Sequence, residues 1–241
     1  MRTFQAFPGV RMTSDLCIWM ESEATIAIAD LHIGLEGVLE AEGMHLPRIQ
    51  TESMRDSLMR IVDRYQPERV LILGDLKHEF SHNLGQELAE VRQVVRQLRD
   101  GAEVWVAKGN HDNFLASLAK QLDLRVETTF RLGGVSMMHG HMDSEERPLV
   151  IGHEHPSVRL FDSIGAYLKL PCFLHFEKER VLVLPAFSPL APGMDFTNAT
   201  KGRALSPVLR DADVGAAQVY ACSEIGLMHL GPVSGLKRVS R

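Results

Sequence analysis

A chain of 241 residues with 45% hydrophobic and 24% charged residues has the balance of an ordinary globular protein and is long enough to bury a core, which excludes disordered, collagen-like and fibrous structure. A net charge of -5 and a pI near 6.1 argue against a protein that grips nucleic acid over its whole surface, while leaving room for local basic patches. Cys17, Cys172 and Cys222 form no CxxC pair, residues 1–10 hold no apolar leader core, and no run approaches about 18 apolar residues, so the expectation is a reducing cytoplasm, no disulfide framework, no zinc-thiolate site and no membrane contact.

In chain order, apolar runs rich in β-branched residues end at turn residues: ATIAIA at 24–29, VLIL at 70–73 and VWVA at 104–107. Each reads as a buried strand. Helical stripes alternate with them: Met54, Leu58, Ile61, Val62 and Tyr65, then Leu88, Val91, Val95 and Leu98, then Phe114, Leu115, Leu118 and Leu122. That alternation predicts a parallel sheet covered by helices. From about Val126 the pattern changes to strands with little helix between them, at 135–138, 149–151, 172–176, 181–184 and 218–222. The expected fold class is therefore α/β, a four-layer α/β/β/α sandwich of two mixed sheets flanked by helices, as a single domain over 1–241. Residues 185–198, with three prolines and a glycine, read as an ordered loop.

The strands end in groups that can bind metal. Asp30 and His32 follow the first, Asp75 the second, Asn110 and His111 the third, His139 the fourth, and His153 and His155 the fifth. Side chains just past the carboxyl ends of parallel strands converge on one crevice. Oxygen and nitrogen donors without thiolate suit manganese, iron, zinc or similar ions, and so many donors fit two divalent ions better than one. Each motif alone has a plainer reading: a strand-end turn for Asp30 to His32 and for Gly74-Asp75, and a helix cap by Asp112 or Asn113 after GNHD at 109–112. Five such coincidences, all at strand ends, are improbable together.

The order D-x-H, G-D, G-N-H-D, H, G-H-x-H resembles the calcineurin-like metallophosphoesterases, here as Asp30-Leu-His32, Gly74-Asp75, Gly109-Asn-His-Asp112, His139 and Gly152-His-Glu-His155. The resemblance implies the same sandwich. It also implies two divalent ions, manganese first and iron, zinc or nickel as alternatives. Asp30, His32, Asp75 and His155 would hold one, and Asp75, Asn110, His139 and His153 the other, with Asp75 bridging. His111 resembles the family's noncoordinating histidine, which gives a proton to the leaving oxygen or steadies transition-state charge. Asp112 would hold its ring, and Gly109 would let the backbone turn sharply. His141, two residues after His139, is the competing ligand.

The string Gly74-Asp-Leu-Lys-His78 resembles the form seen in SbcD and double-strand-break-repair nucleases, which implies a second noncoordinating catalytic imidazole at His78; a surface or supporting histidine is the plainer reading. Together with residues 43–47 and 76–80 it points to SbcD-related and DNA ligase-associated phosphoesterases. The implied activity is a metal-dependent phosphodiesterase acting as an endo- or exonuclease in DNA repair, on DNA as the nucleic-acid substrate, with a homodimer and DNA-repair proteins as partners. A small-molecule nucleotide phosphodiesterase or phosphatase is the alternative that the acidic charge favours; a non-catalytic scaffold is disfavoured by five intact motifs. His45, His82, His175 and His229 read as surface or core residues, Glu79 as helix initiation, and the basic tail from Gly235 as a solvated end.

Overall fold

The computed structural model describes residues 3–41, 43–44, 50–78, 85–113, 115–162, 164–191, 193–197 and 204–236. The expectations placed on His45, Glu79, His82, Phe114, Asn198 and residues 237–241 lie outside them.

The first half builds β1 (Phe4–Phe7), β2 (Val10–Met12), β3 (Ile18–Met20), β4 (Thr25–Ile28), α1 (Leu35–Ala41), α2 (Gln50–Tyr65), β5 (Arg69–Leu73), α3 (Gly85–Arg99), β6 (Glu103–Ala107), α4 (Leu115–Leu122) and β7 (Arg125–Glu127). The seven strands form one sheet in chain order, antiparallel as far as β4 and parallel from β4 to β7. The central strands are apolar throughout because both of their faces are covered. Ile26, Ile28, Val70, Ile72, Val104 and Val106 pack under Met54, Leu58 and Ile61 of α2, Val91, Val95 and Leu98 of α3, and Leu118 of α4. The alternate residues Ala27, Leu71, Leu73 and Ala107 face the second sheet. The period of two is what sends neighbours to opposite cores.

The second half builds β8 (Thr129–Leu132), β9 (Val135–Met138), β10 (Leu149–Ile151), β11 (Pro156–Phe161), β12 (Tyr167–Phe176), β13 (Val181–Val183), β14 (Met194–Asp195), β15 (Gln218–Ser223) and β16 (Gly226–Pro232). They make a nine-stranded sheet in the order β14-β11-β12-β13-β10-β9-β8, with β15 and β16 attached to β12. The β9-β10-β13 centre is parallel. Met137, Val150, Phe173 and Leu182 fill the space between the sheets, and Ile151, Leu174, Val183 and Val219 face outward.

The sandwich is thus as expected, with a thinner outer layer on this side. Among the described residues the outer cluster draws on no α-helix; Leu209, Val214 and Val233, from three 3-10 turns, cover it. All three cysteines are free and buried, and among the described residues no helix is long and apolar enough to cross a membrane.

Candidate metal centre

The carboxyl ends of β4, β5, β6, β9 and β10 open on one edge, and the chain there takes an uncommon conformation. Asp30, His32, Asp75, His153 and His155 all lie in the left-handed region, with φ of 56°, 46°, 48°, 69° and 44°. Such a residue costs on the order of 1–3 kcal/mol unless its surroundings hold it there. They do so by bonds between the strand ends: His32 N donates to Asp75 O at 2.9 Å, Asp30 N to Gly74 O at 3.2 Å, and His153 N to the Asp30 side-chain Oδ2 at 3.0 Å. The effect is to turn five functional side chains into the same space.

The chain turns after Gly109, with Asp112 N donating to Gly109 O at 3.4 Å, but Gly109 lies outside the left-handed set, and what the glycine supplies is a close approach. A Cβ there would fall on the Asp75 carboxylate and amide nitrogen. Gly74, at φ 77°, likewise leaves room for the His139 ring.

Two donor groups result. In one, Asp30, His32 and His155 offer atoms within 4.8 Å of each other; His155 Nε2 is 3.3 Å from Asp30 Oδ1 and 3.2 Å from His32 Nε2. In the other, His139 Nε2 lies 3.3 Å from Asp75 Oδ2, 3.0 Å from Asn110 Oδ1 and 3.1 Å from His153 Nδ1. The His139 Nδ1–H donates to Leu73 O at 2.9 Å, which leaves Nε2 as the ring nitrogen that faces the centre. That edge of the ring faces two acceptor oxygens, so the cluster holds together only with positive charge among the atoms, a proton on Nε2 or a cation in its place. Among the described residues the fully buried Asp30 Oδ1 has no hydrogen bond of good geometry, although His155 Nε2 lies 3.3 Å away, and a buried carboxylate oxygen left so is likewise a place for a cation. The residues present therefore fit a divalent-metal pair, with the Asp75 carboxylate 3.8 Å from His32 of the first group as well.

Electrostatics agree. Burial pushes His32 down to about 3 and His153 down to about 4, so both present lone pairs at neutral pH. Burial opposes a charge on His139, but the Asp75 hydrogen bond and the Asp30 and Asp75 carboxylates outweigh it and push the ring up to about 9. Burial also works against the Asp75 charge, yet the His139 and His32 rings hold its carboxyl well below the usual range. The centre draws positive charge to itself.

A third set, His32, His78 and His111, adjoins these. His78 Nδ1 is 3.3 Å from His32 Nδ1, and its ring stacks on His111 at 5.3 Å. His111 N donates to Asp75 Oδ1 at 3.0 Å, and its Nδ1–H to the His78 carbonyl at 2.6 Å. The carbonyl, and not Asp112, holds the His111 ring. This corrects the expected task of Asp112. Its buried carboxylate accepts from Gly109 N at 2.8 Å and Leu76 N at 3.0 Å, fastening the loops after β5 and β6 to each other. Burial, then the charge of Asp75, raises its carboxyl to about 6.

His141 stays outside the donor groups, its ring 5.3 Å from that of His139. His175 is buried edge-on against Phe7, and His229 stacks on Tyr220; both are far from the centre in the fold, on β12 and β16.

Sequence reasoning passed over Glu154. It is 1% exposed and accepts from Leu205 N at 3.1 Å and Ser206 N at 2.5 Å, pinning a distant segment over the centre. Leu205 and Met194 thereby form an apolar lip on a cavity of about 210 Å³ lined also by His32, Asp75, Asn110, His111 and His153. The only signal was a carboxylate between two paired histidines. Beside this cavity, and sharing His155 with it, runs a crevice of about 800 Å³ between α2 and the β11–β12 ribbon. The loop after β13 closes its inner end, with Phe187 N bonded to Ala29 O and Ser188 N to Asp30 O.

The family described as calcineurin-like phosphoesterase matches residues 24–214. Among solved structures, the Pseudomonas putida nuclease MPE superposes with a TM-score of 0.72 at 23% identity, covering 95% of this chain and 99% of that one. It has the same fold. YfcE, a phosphoesterase from E. coli, aligns over 90% of this chain and 96% of its own at 13% identity, with a TM-score of 0.41; that likeness is too weak to add to the assignment. No curated protein matches the sequence.

Proposed function

The chain belongs to the calcineurin-like phosphoesterase family, and from that premise we propose that it is a divalent-metal-dependent phosphodiesterase that cleaves nucleic acid, DNA first, in the setting of repair. The observation that carries the reading is the meeting of Asp75 Oδ2, Asn110 Oδ1, His139 Nε2 and His153 Nδ1, a set of metal-ligating atoms that draws positive charge into one small space. Asp30, His32, Asp75 and His155 would hold one ion and Asp75, Asn110, His139 and His153 the other. Manganese is our assignment for this donor set, which iron, zinc or nickel also suits.

When bound, two such ions supply the Lewis acidity that activates water near neutral pH and withdraws charge from a phosphate. The protein's own groups do the rest. The His78 carbonyl holds the Nδ1–H of His111, so Nε2 is the ring atom turned to the substrate; it takes up a proton, and in the imidazolium form hands that proton to the leaving oxygen. His78, stacked on it, is the second imidazole beside the scissile diester. Asp112 acts as a positioning residue, keeping the loops that carry Asp75 and Asn110 together. Leu205 and Met194 narrow the mouth. The MPE nuclease, with the same fold, supports a nucleic-acid substrate. A single catalytic domain, a cytoplasmic location, a homodimer and repair-protein partners belong to the same reading.

The test is a manganese-supplemented assay on end-labelled single- and double-stranded DNA, beside a small chromogenic diester and monoester, with Asp75→Ala as control. Cleavage of DNA and diester by the native chain, nearly abolished in the variant, is expected. Turnover of the diester with DNA left intact would move the assignment to a small-molecule phosphodiesterase. No turnover, with less than one ion per chain after reconstitution, would make the chain a scaffold.

A further inference from the structure

We propose that one face of the β11–β12 ribbon is a track for an unpaired nucleic-acid strand leaving the metal centre, with Lys169 on phosphate, Tyr167 and Phe161 on bases, and Arg159 holding the Tyr167 ring. The proposal rests on the nuclease reading above. Its starting point is register: Ser157 pairs with Pro171, Arg159 with Lys169, and Phe161 with Tyr167. Directly paired residues of an antiparallel ribbon project from the same face. Walking outward from the metal-site His155, that face therefore carries a small pair, then a cationic pair, then an aromatic pair. Phe161 lies six steps of extended chain beyond His155, a reach of about 20 Å.

The opposite face is already spent. Val158, Leu170 and Cys172, with Leu160, pack into the outer core of the second sheet, so the track residues are not needed to hold the ribbon down. They are open to solvent: Tyr167 is 55% exposed, Arg159 has 39% of its side chain exposed, and Lys169 is exposed. Lys169, with Ser157 and Pro171, lines the large crevice that meets the metal cavity at His155. Across it, α2 contributes Arg60.

The charges have the right freedom. Several arginines elsewhere on the surface face a carboxylate, as Arg11, Arg99, Arg125 and Arg131 do. Among the described residues Lys169 donates only to Gly193 O and Arg60 only to Ser57 Oγ, so neither is neutralised. Arg159 is paired to Asp195 and lies over the Tyr167 ring at 4.7 Å, which holds that ring in place. Phe161 sits 5.7 Å from it. Cations that follow a backbone, with aromatic rings that take base faces, are the means by which proteins hold single strands; a paired duplex offers no free base face to stack.

The test compares manganese-loaded native enzyme with Tyr167→Ala, Lys169→Ala, Lys169→Arg and, as a distant charge control, Arg131→Ala. Substrates are oligothymidylates of increasing length and a small chromogenic diester. For the native chain, KM should fall as the oligonucleotide lengthens until it spans the ribbon, then level off. Tyr167→Ala should raise the oligonucleotide KM by roughly 5- to 150-fold, with kcat moving much less. Lys169→Ala should reduce the slope of log KM against log salt by about 0.7, Lys169→Arg should restore it, and Arg131→Ala should not change it. Native enzyme that cleaves oligonucleotides with a KM independent of length, or equally well in the Tyr167 and Lys169 variants, overturns the track and leaves the nuclease reading standing. Native enzyme that hydrolyses the diester but no oligonucleotide overturns both.

Discussion

Asp112 separates two accounts of the centre. If it oriented His111, its loss would slow the chemistry and leave the fold alone. Its carboxylate instead accepts from Gly109 N and Leu76 N, at 2.8 and 3.0 Å, with no exposed surface. Asp112→Ala would leave two buried N–H groups unmatched, at about 1–3 kcal/mol each, or about 2–6 kcal/mol in all. Burial already disfavours the charge of this carboxylate, and losing that penalty offsets part of the cost, so the lower end of the range applies. Even that is a large share of a stability of about 5–15 kcal/mol. Asp112→Asn keeps one acceptor and should cost about half as much. Urea unfolding of the metal-free proteins measures the loss, and kcat at saturating manganese measures the chemistry. The expected pattern is a clear shift in midpoint for both variants, weaker manganese binding, and kcat within about tenfold of native once the site is filled. A kcat lower by about 10²- to 10⁴-fold at unchanged stability, the scale of a lost general acid, would refute this reasoning and return Asp112 to His111.

His111→Ala should lower kcat on the small diester by about 10²- to 10⁴-fold while leaving the ion count per chain unchanged by metal analysis; a loss of bound metal would instead make His111 a ligand. His175 offers a pH test outside the centre. Burial lowers its pKa below the ordinary value of 6.5, so the folded chain binds fewer protons there than the unfolded one, and its contribution to stability is complete above about pH 6.5 and lost as the pH falls below it. The melting temperature of the metal-free native protein should accordingly fall more between pH 7 and pH 5 than that of His175→Phe; parallel curves would contradict this.

The motif residues were legible because buried parallel strands write themselves as continuous apolar runs, and the residues just past their carboxyl ends have one place to go. ATIAIA, VLIL and VWVA located Asp30, Asp75 and Asn110 in this way, and the structure brings all seven expected donors and His78 and His111 to that place. What the sequence hid is conformational. Nothing in residue type announces that Asp30, His32, Asp75, His153 and His155 adopt left-handed backbone, because the hydrogen bonds that hold Asp30, His32 and His153 there come from segments distant in sequence. Asp112 was misread because the resemblance assigned its carboxylate to the His111 ring, whereas the loop folds that carboxylate back on Gly109 N and out to Leu76 N. Glu154 depends on Ser206, more than fifty positions away. Strands β1 to β3 are only three or four residues long, too short for a period to emerge, and the outward half of β12 runs through exposed Tyr167, Leu168 and Lys169, which no core pattern marks.

The central claim is that two cations share Asp75, and anomalous scattering from a manganese-grown crystal addresses it most directly. The account predicts two peaks about 3.5–4 Å apart, one among Asp30, His32 and His155, the other among Asn110, His139 and His153, with the Asp75 carboxylate touching both. A single peak, or peaks that leave Asp75 unligated at saturating manganese, would contradict it.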